Sequence, residues 1–235
     1  SPRSPPAAAI DYRTGTMMSL SNSVRSARAL KATPRNVSMR ATDRPVFYPG
    51  QTPPAHLDGS MPCDYGFDPL SLGSWDKGLA WNRQAELQHC RWAMLGVVGT
   101  CVPDLLGLPM WADAGKESYF TDAFTLFTSQ LLFMSWAEYR RWIDIQYPGS
   151  VNEDPIFGNY TVGEKGVGYP GGKWFDPMNF AKDEKKFLEL QKKEIANGRL
   201  AMVAILGIAA QTYYTGKGPL VCLGEHIKNG VNIFS

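Results

Sequence analysis

Three scarcities narrow the class of this 235-residue chain before any motif is considered. There is no CxxC pair: Cys63, Cys90, Cys101 and Cys222 stand far apart, which removes the usual zinc and dithiol signatures and leaves free thiols or packing residues. There is little excess charge, +2 with 20% charged residues, and no basic tract interleaved with aromatics, so nothing here would capture nucleic acid. There is also no uncharged apolar run of about 18 residues, the mark of a simple transmembrane helix. Residues 92–103 and 200–216 carry no charge but fall short of it, and the mean hydropathy is -0.24. Hydropathy alone favours a soluble helical protein. The first forty residues lack acids as well: Asp11 stands alone against Arg3, Arg13, Arg25, Arg28, Lys31, Arg35 and Arg40 among many Ser and Ala. That composition predicts an organelle transit segment over residues 1–40, the alternative being a disordered basic tail.

What remains is organised by helical patterns. Arg44 to Trp75 is rich in Pro, Gly and Asp and predicts an extended surface segment. A first helix is expected over Lys77–Leu106, with Pro103 and Asp104 near its end, and a second apolar segment over Ala123–Ala137 leads into Glu138, Arg140 and Arg141. A Gly- and Pro-rich loop follows. A third helix is expected over Asp183–Tyr214, then a short amphipathic stretch over Leu220–Ile227 after Pro219.

A shift of 108 positions superposes two of these segments. Phe67-Asp68-Pro69 falls on Phe175-Asp176-Pro177, Lys77 on Lys185, Glu86 on Glu194, Arg91 on Arg199, Ala93-Met94 on Ala201-Met202 and Gly99 on Gly207, without a gap. The coincidences include charged and turn residues, so they indicate a duplication whose copies are related by a pseudo-two-fold axis. Within each copy, side chains at i and i+3 share a face, which brings Glu86 beside His89 and Glu194 beside Asn197 as adjacent ligands. The Arg at i+5 lies about 140 degrees around the helix from its own Glu and suits a partner helix instead. Glu86 is therefore expected to meet Arg199, and Glu194 to meet Arg91. Paired charges facing a bundle interior are tolerated in a membrane where a lone one costs about 2.5 kcal/mol or more. With both pairs neutralised, the apolar lengths become sufficient to span. Gly96, Gly99, Ala204 and Gly207 offer a small-residue stripe for close approach of the backbones.

Other readings of the same residues exist. Glu and Arg at such spacing also describe a solvated helix face, and Glu86 with His89 is the i, i+3 pair of carboxylate-bridged di-iron bundles. Such a site needs a second Glu-xx-His pair, however, and the second copy has Asn197.

Glu86-Leu-Gln-His89-Cys-Arg91-Trp-Ala-Met and Glu194-Ile-Ala-Asn197-Gly-Arg199-Leu-Ala-Met resemble the two signature helices of the chlorophyll a/b-binding light-harvesting proteins. The resemblance covers nearly everything from Arg44 onward. Arg44-Pro-Val-Phe-Tyr-Pro-Gly, Asn152-Glu-Asp-Pro-Ile-Phe and Tyr169-Pro-Gly-Gly are most similar to the antenna of photosystem I.

The resemblance implies an all-α membrane protein of the chloroplast thylakoid. It would have three transmembrane helices and a short amphipathic surface helix, residues 41–235 forming the pigment-binding domain and residues 1–40 a chloroplast transit peptide. It implies a non-enzymatic role in passing excitation energy to photosystem I. The implied cofactors are chlorophyll a, chlorophyll b, carotenoids of the lutein, violaxanthin and beta-carotene types, and thylakoid lipid. The implied partners are the photosystem I core and neighbouring antenna subunits. A photoprotective relative that dissipates energy is the nearest alternative.

The resemblance further implies axial ligation of chlorophyll magnesium by Glu86, His89, Glu138, Glu194, Asn197, Gln211 and His226, with Arg91, Arg199 and Arg141 as charge partners. Gln130 matches a polar position near peripheral chlorophylls, and Asp68 and Asp176 mark turns beside carotenoid ends. Basic residues before the first helix and between the second and third, Lys77, Arg83, Arg140, Arg141, Lys165, Lys173, Lys182, Lys185, Lys186, Lys192 and Lys193, outnumber Lys116, Lys217 and Lys228 on the other side. That asymmetry assigns the first set to the stroma and the C-terminal amphipathic helix to the lumen.

Overall fold

The computed structural model describes residues 44–50, 52–75, 78–150, 152 and 166–230. The expected transit segment, residues 1–40, lies outside them, as do Lys77, Lys165 and most of the Asn152-Glu-Asp-Pro-Ile-Phe motif. Among the described residues the secondary structure is helical, with no strand. The four main helices are α1 (Gly78–Leu106), α2 (Ala123–Gln146), α3 (Glu184–Thr215) and α4 (Pro219–Asn229). Each coincides with an expected element to within a few residues except α2, which runs on past Ala137 to Gln146.

The boundaries have local causes. At the end of α1, Pro103 supplies its carbonyl to Leu108 N–H at 2.9 Å across Gly107, whose φ of 66° is open to a residue without Cβ. Asp122 caps α2 by accepting from Thr125 N–H at 3.1 Å, and Asp183 caps α3 by accepting from Lys185 N–H at 3.2 Å. Gly216 closes α3 in the left-handed conformation, its N–H donating to Thr212 O at 2.9 Å. Pro219 then opens α4 at a position where a missing N–H costs nothing. The cap of α4 comes from far away: Asp104 Oδ2, near the end of α1, accepts from Leu220 N–H at 3.1 Å.

The axis of the molecule is the crossing of α1 and α3. Among the described residues the buried apolar set is Leu87, Cys90, Ile195 and Ala201, all on these two helices. Leu87 (1% exposed) and Ile195 (0%) occupy the same place in the two copies, as do Cys90 (0%) and Gly198. The tightest approach lies at this last pair: a Cβ on Gly198 would overlap Cys90 Cβ and Sγ and come within 3.1 Å of Cys90 Cα. The expected small-residue stripe is corrected accordingly. Gly99 and Gly207 have nothing within 4 Å of where a Cβ would stand, and Gly96 meets only Ile205 at 3.5 Å. None of these three glycines meets the facing backbone, and the close approach lies at Gly198 instead.

α2 stands apart. None of its 24 residues is buried, and its ring contact with α1 is the edge-to-face pair Trp81–Trp142, with centroids 5.5 Å apart. Large apolar side chains remain exposed along all three long helices, Leu95, Phe124, Phe133 and Leu206 among them. So many exposed large apolar side chains are what an apolar surrounding or apolar ligands would cover.

The segment before α1 also departs from expectation. It is not simply extended: Arg44 is buried and pairs with Asp64 at 2.7 Å, and Phe47 N–H donates to Tyr65 O at 2.9 Å. The buried ion pair folds the segment back on itself, an arrangement that turn composition does not disclose.

Candidate functional site

The expected crossed ion pairs are both present. Arg199 Nε donates to Glu86 Oε1 at 2.7 Å and Arg91 Nε donates to Glu194 Oε1 at 2.8 Å. Each arginine has a second task across the axis. Arg199 Nη1 donates to Cys63 O at 2.9 Å, and Arg91 Nη1 to Gly168 O at 3.0 Å. Every guanidinium thus grips the opposite glutamate together with the loop that precedes the opposite helix. Arg91 also lies 5.5 Å from the centroid of the Tyr169 ring. Burial pushes the Tyr169 phenol up, and the Glu194 carboxylate adds to this against the Arg83 and Arg91 guanidiniums.

The residues one turn on from the glutamates are oriented by one device used twice. His89 Nδ1 stands 2.7 Å from Ala85 O, and Asn197 Nδ2 donates to Lys193 O at 2.8 Å, each four residues back along its own helix. A carbonyl can only accept, so His89 Nδ1 carries a proton and Nε2 is the ring nitrogen turned outward. In the same way the Asn197 amide, tied through its NH2, presents Oδ1. Both side chains are exposed. Fixing one atom of a ligand so that the other is aimed is what supporting contacts do at metal sites. These donors fit the magnesium of a chlorophyll: His89 would offer one nitrogen and Asn197 one oxygen from the helix face. Among the described residues no three His, Cys, Asp or Glu side chains converge as a protein-built metal cage would need.

The other expected positions are dispersed. Glu138, half-buried on α2, pairs with Arg141, whose Nε lies 2.8 Å from Oε2. Gln130 is exposed on α2, Gln211 on α3 beyond the crossing, and His226 on α4. Asp68 and Asp176 commit their carboxylates to the loops' own backbones in matching fashion. Asp68 accepts from Leu72 and Gly73 N–H at 3.0 and 2.9 Å, and Asp176 from Phe180 and Ala181 N–H at 2.9 and 3.0 Å. The duplication therefore extends to loop hydrogen bonds at positions where the sequences differ. Asp68 is also 2.8 Å from His56 Nε2; the Gly73 N–H and the His56 ring, opposed by burial, hold its carboxyl below the usual range.

Sequence reasoning missed Arg83, which was counted only as a topological charge. Its Nη1 donates to Glu86 Oε2 at 3.0 Å and its Nη2 to Pro62 O at 3.3 Å. The i, i+3 spacing to Glu86 was the available signal.

Residues 53–213 match the family model described as chlorophyll A-B binding protein. The chain is 53% identical over 192 residues to chlorophyll a-b binding protein 7, chloroplastic, of Solanum lycopersicum, covering 79% of this chain and 71% of that protein. It is 46% identical over 202 residues to photosystem I chlorophyll a/b-binding protein 6, chloroplastic, of Arabidopsis thaliana, covering 82% and 75%. Protein 5 of the same series is 43% identical over 199 residues, covering 80% and 78%. The family is one of light-harvesting, pigment-binding proteins and not a class of enzyme. On the duplicated helices, their crossed ion pairs and this similarity along most of its length, the chain belongs to the chlorophyll A-B binding protein family.

Proposed function

We propose that this protein is an antenna subunit of photosystem I that crosses the thylakoid membrane three times, holds chlorophylls and carotenoids, and passes their excitation to the photosystem. The observation that carries it is the mated pair His89 and Asn197, each tied to the carbonyl four residues back and each presenting one donor atom outward. Chlorophyll, when bound, supplies the excited state; the protein supplies fixed positions. Transfer between pigments falls steeply with separation and depends on ring orientation, so rigid side chains on rigid helices are what the task requires. Glu86, His89, Glu194 and Asn197 would hold rings around the crossing, Glu138 and Gln130 along α2, and Gln211 and His226 toward the other membrane face. Asp68 and Asp176 would shape the turns against which carotenoid ends rest.

Membrane crossing is supported by length and by charge pairing. By length and apolarity α3 alone among the described helices qualifies as a span. Yet α1, α2 and α3, of 29, 24 and 32 residues, are about 43, 36 and 48 Å long, beyond the roughly 30 Å of a hydrocarbon core. Toward the middle of α1 and α3 the crossed pairs hold Glu86, Arg91, Glu194 and Arg199, and Arg83 joins Glu86; the other charges of α3 lie in its first ten residues, up to Lys193, and Asp104 lies near the end of α1. The basic residues near the start of α1, the end of α2 and the start of α3, with those of the α2–α3 loop, support placing those ends in the stroma. The relatives whose names include photosystem I support that partner, and their chloroplastic designation supports the location.

The functional test is excitation of the bound pigments in protein refolded with them and attached to photosystem I depleted of antenna. Under limiting light the rate of reaction-centre oxidation is expected to rise in proportion to the added pigment. An unchanged rate, with the protein demonstrably attached, rules the proposal out.

The acid-poor composition also supports removal of residues 1–40 as a chloroplast transit peptide. Sequencing the N-terminus of the protein isolated from thylakoids is expected to find a start close to position 40. A mature chain retaining Arg3 and Arg13 would show otherwise.

A further inference from the structure

The two mated glutamates differ in the number of guanidiniums that hold them. Glu86 receives two guanidiniums: Arg199 on Oε1 at 2.7 Å and Arg83 on Oε2 at 3.0 Å. The same arginines grip adjacent carbonyls, Arg83 that of Pro62 at 3.3 Å and Arg199 that of Cys63 at 2.9 Å. Glu86 is thereby fixed from both sides to one dipeptide. In the second copy the counterpart of Arg83 is the neutral, buried Gln191, and Glu194 is paired with Arg91 through Oε1. Two cations to one anion leave the first site with a net positive charge; one to one leaves the second neutral. The Arg83 side chain is only 13% exposed, so its charge is poorly screened.

We propose that Arg83 is a positioning and tuning residue: by bridging Glu86 Oε2 to the Pro62 carbonyl it makes the first ligand site cationic where its repeat mate is neutral, and so sets the chlorophylls on the two mated glutamates at different energies. The inference rests on the reading that Glu86 and Glu194 ligate chlorophyll. A carboxylate has about four lone-pair positions, so two hydrogen bonds leave room for a metal, and the second hydrogen bond removes the freedom to swing. A fixed charge beside a pigment in a low-dielectric medium acts differently on its ground and excited states. A cation held against one of two repeat-related sites therefore adds to the difference between their energies.

The test uses the full chain refolded with chlorophylls a and b and carotenoid. Arg83→Gln, which gives the first copy the residue of the second, is expected to keep the full chlorophyll content and to shift one band in the low-temperature absorption spectrum. Arg83→Lys, which keeps the charge, is expected to return that band toward its original position. Glu86→Val, in parallel, is expected to lose one chlorophyll. An unshifted spectrum for Arg83→Gln while Glu86→Val does lose its chlorophyll overturns the role of Arg83 and leaves ligation intact. No loss from Glu86→Val overturns ligation itself. Failure of Arg83→Gln to refold, or loss of a chlorophyll from it, also counts against the inference, because a tuning residue is dispensable for assembly.

Discussion

Arg91→Leu is expected to destabilise the refolded protein by about 1–3 kcal/mol, the usual cost of leaving a partly buried hydrogen-bonding group without its partner. The variant loses the partner of Glu194 Oε1 and the donor that fastens Gly168 O in a single change. Arg199→Leu is expected to be milder, since Arg83 stays on Glu86. Thermal loss of visible circular dichroism from the two variants would rank them, and exchanging the charges, Arg91→Glu with Glu194→Arg, is expected to recover part of the loss. A fully stable Arg91→Leu variant would mean that the crossed pair does not hold the helices.

The second large effect is expected at the point of closest approach. Ala at position 198 would normally strengthen a helix by about 1 kcal/mol over Gly. Here its Cβ would overlap Cys90 Cβ and Sγ, atoms fixed to the facing helix rather than at the end of a flexible chain. Overpacking of this kind costs about 1–3 kcal/mol, so steric repulsion outweighs propensity and Gly198→Ala is expected to lower both melting temperature and refolding yield. Adding Cys90→Gly removes the obstruction, and the double variant is expected to return close to the parent. If the single variant melts with the parent, the crossing is looser than the structure shows.

Helix positions were legible in the sequence because Asp122, Asp183, Gly216 and Pro219 are terminators with local mechanisms. The crossed pairs were legible for another reason: duplication turned two ambiguous Glu–Arg spacings into a reciprocal constraint. Gly198 was not recognised as the contact point. It sits where the first copy has Cys90, so it is no identity of the repeat, and which of several small residues faces the axis depends on the rotation of each helix. The burial of Arg44 against Asp64 likewise follows from how a turn-rich segment closes, which composition leaves undetermined. His89 and Asn197 were recognised as donors, but their shared tether to the i−4 carbonyl emerges only from side-chain geometry.

The isolation of α2 bears on how the molecule is made. A helix with 24 residues and none buried gains almost nothing from docking on its neighbours beyond the Trp81–Trp142 contact. The α1–α3 crossing, with its own small core and ion pairs, can close first. On the proposed pigment-binding role, docking of the middle helix is a ligand-binding event, and stability follows mass action as RT ln(1 + [L]/Kd). At pigment concentrations a hundredfold above the dissociation constant this amounts to about 2.7 kcal/mol for each independent site. On the proposed role the melting point is a property of the pigment supply as much as of the polypeptide, and a chain made faster than its pigments is left with an undocked α2.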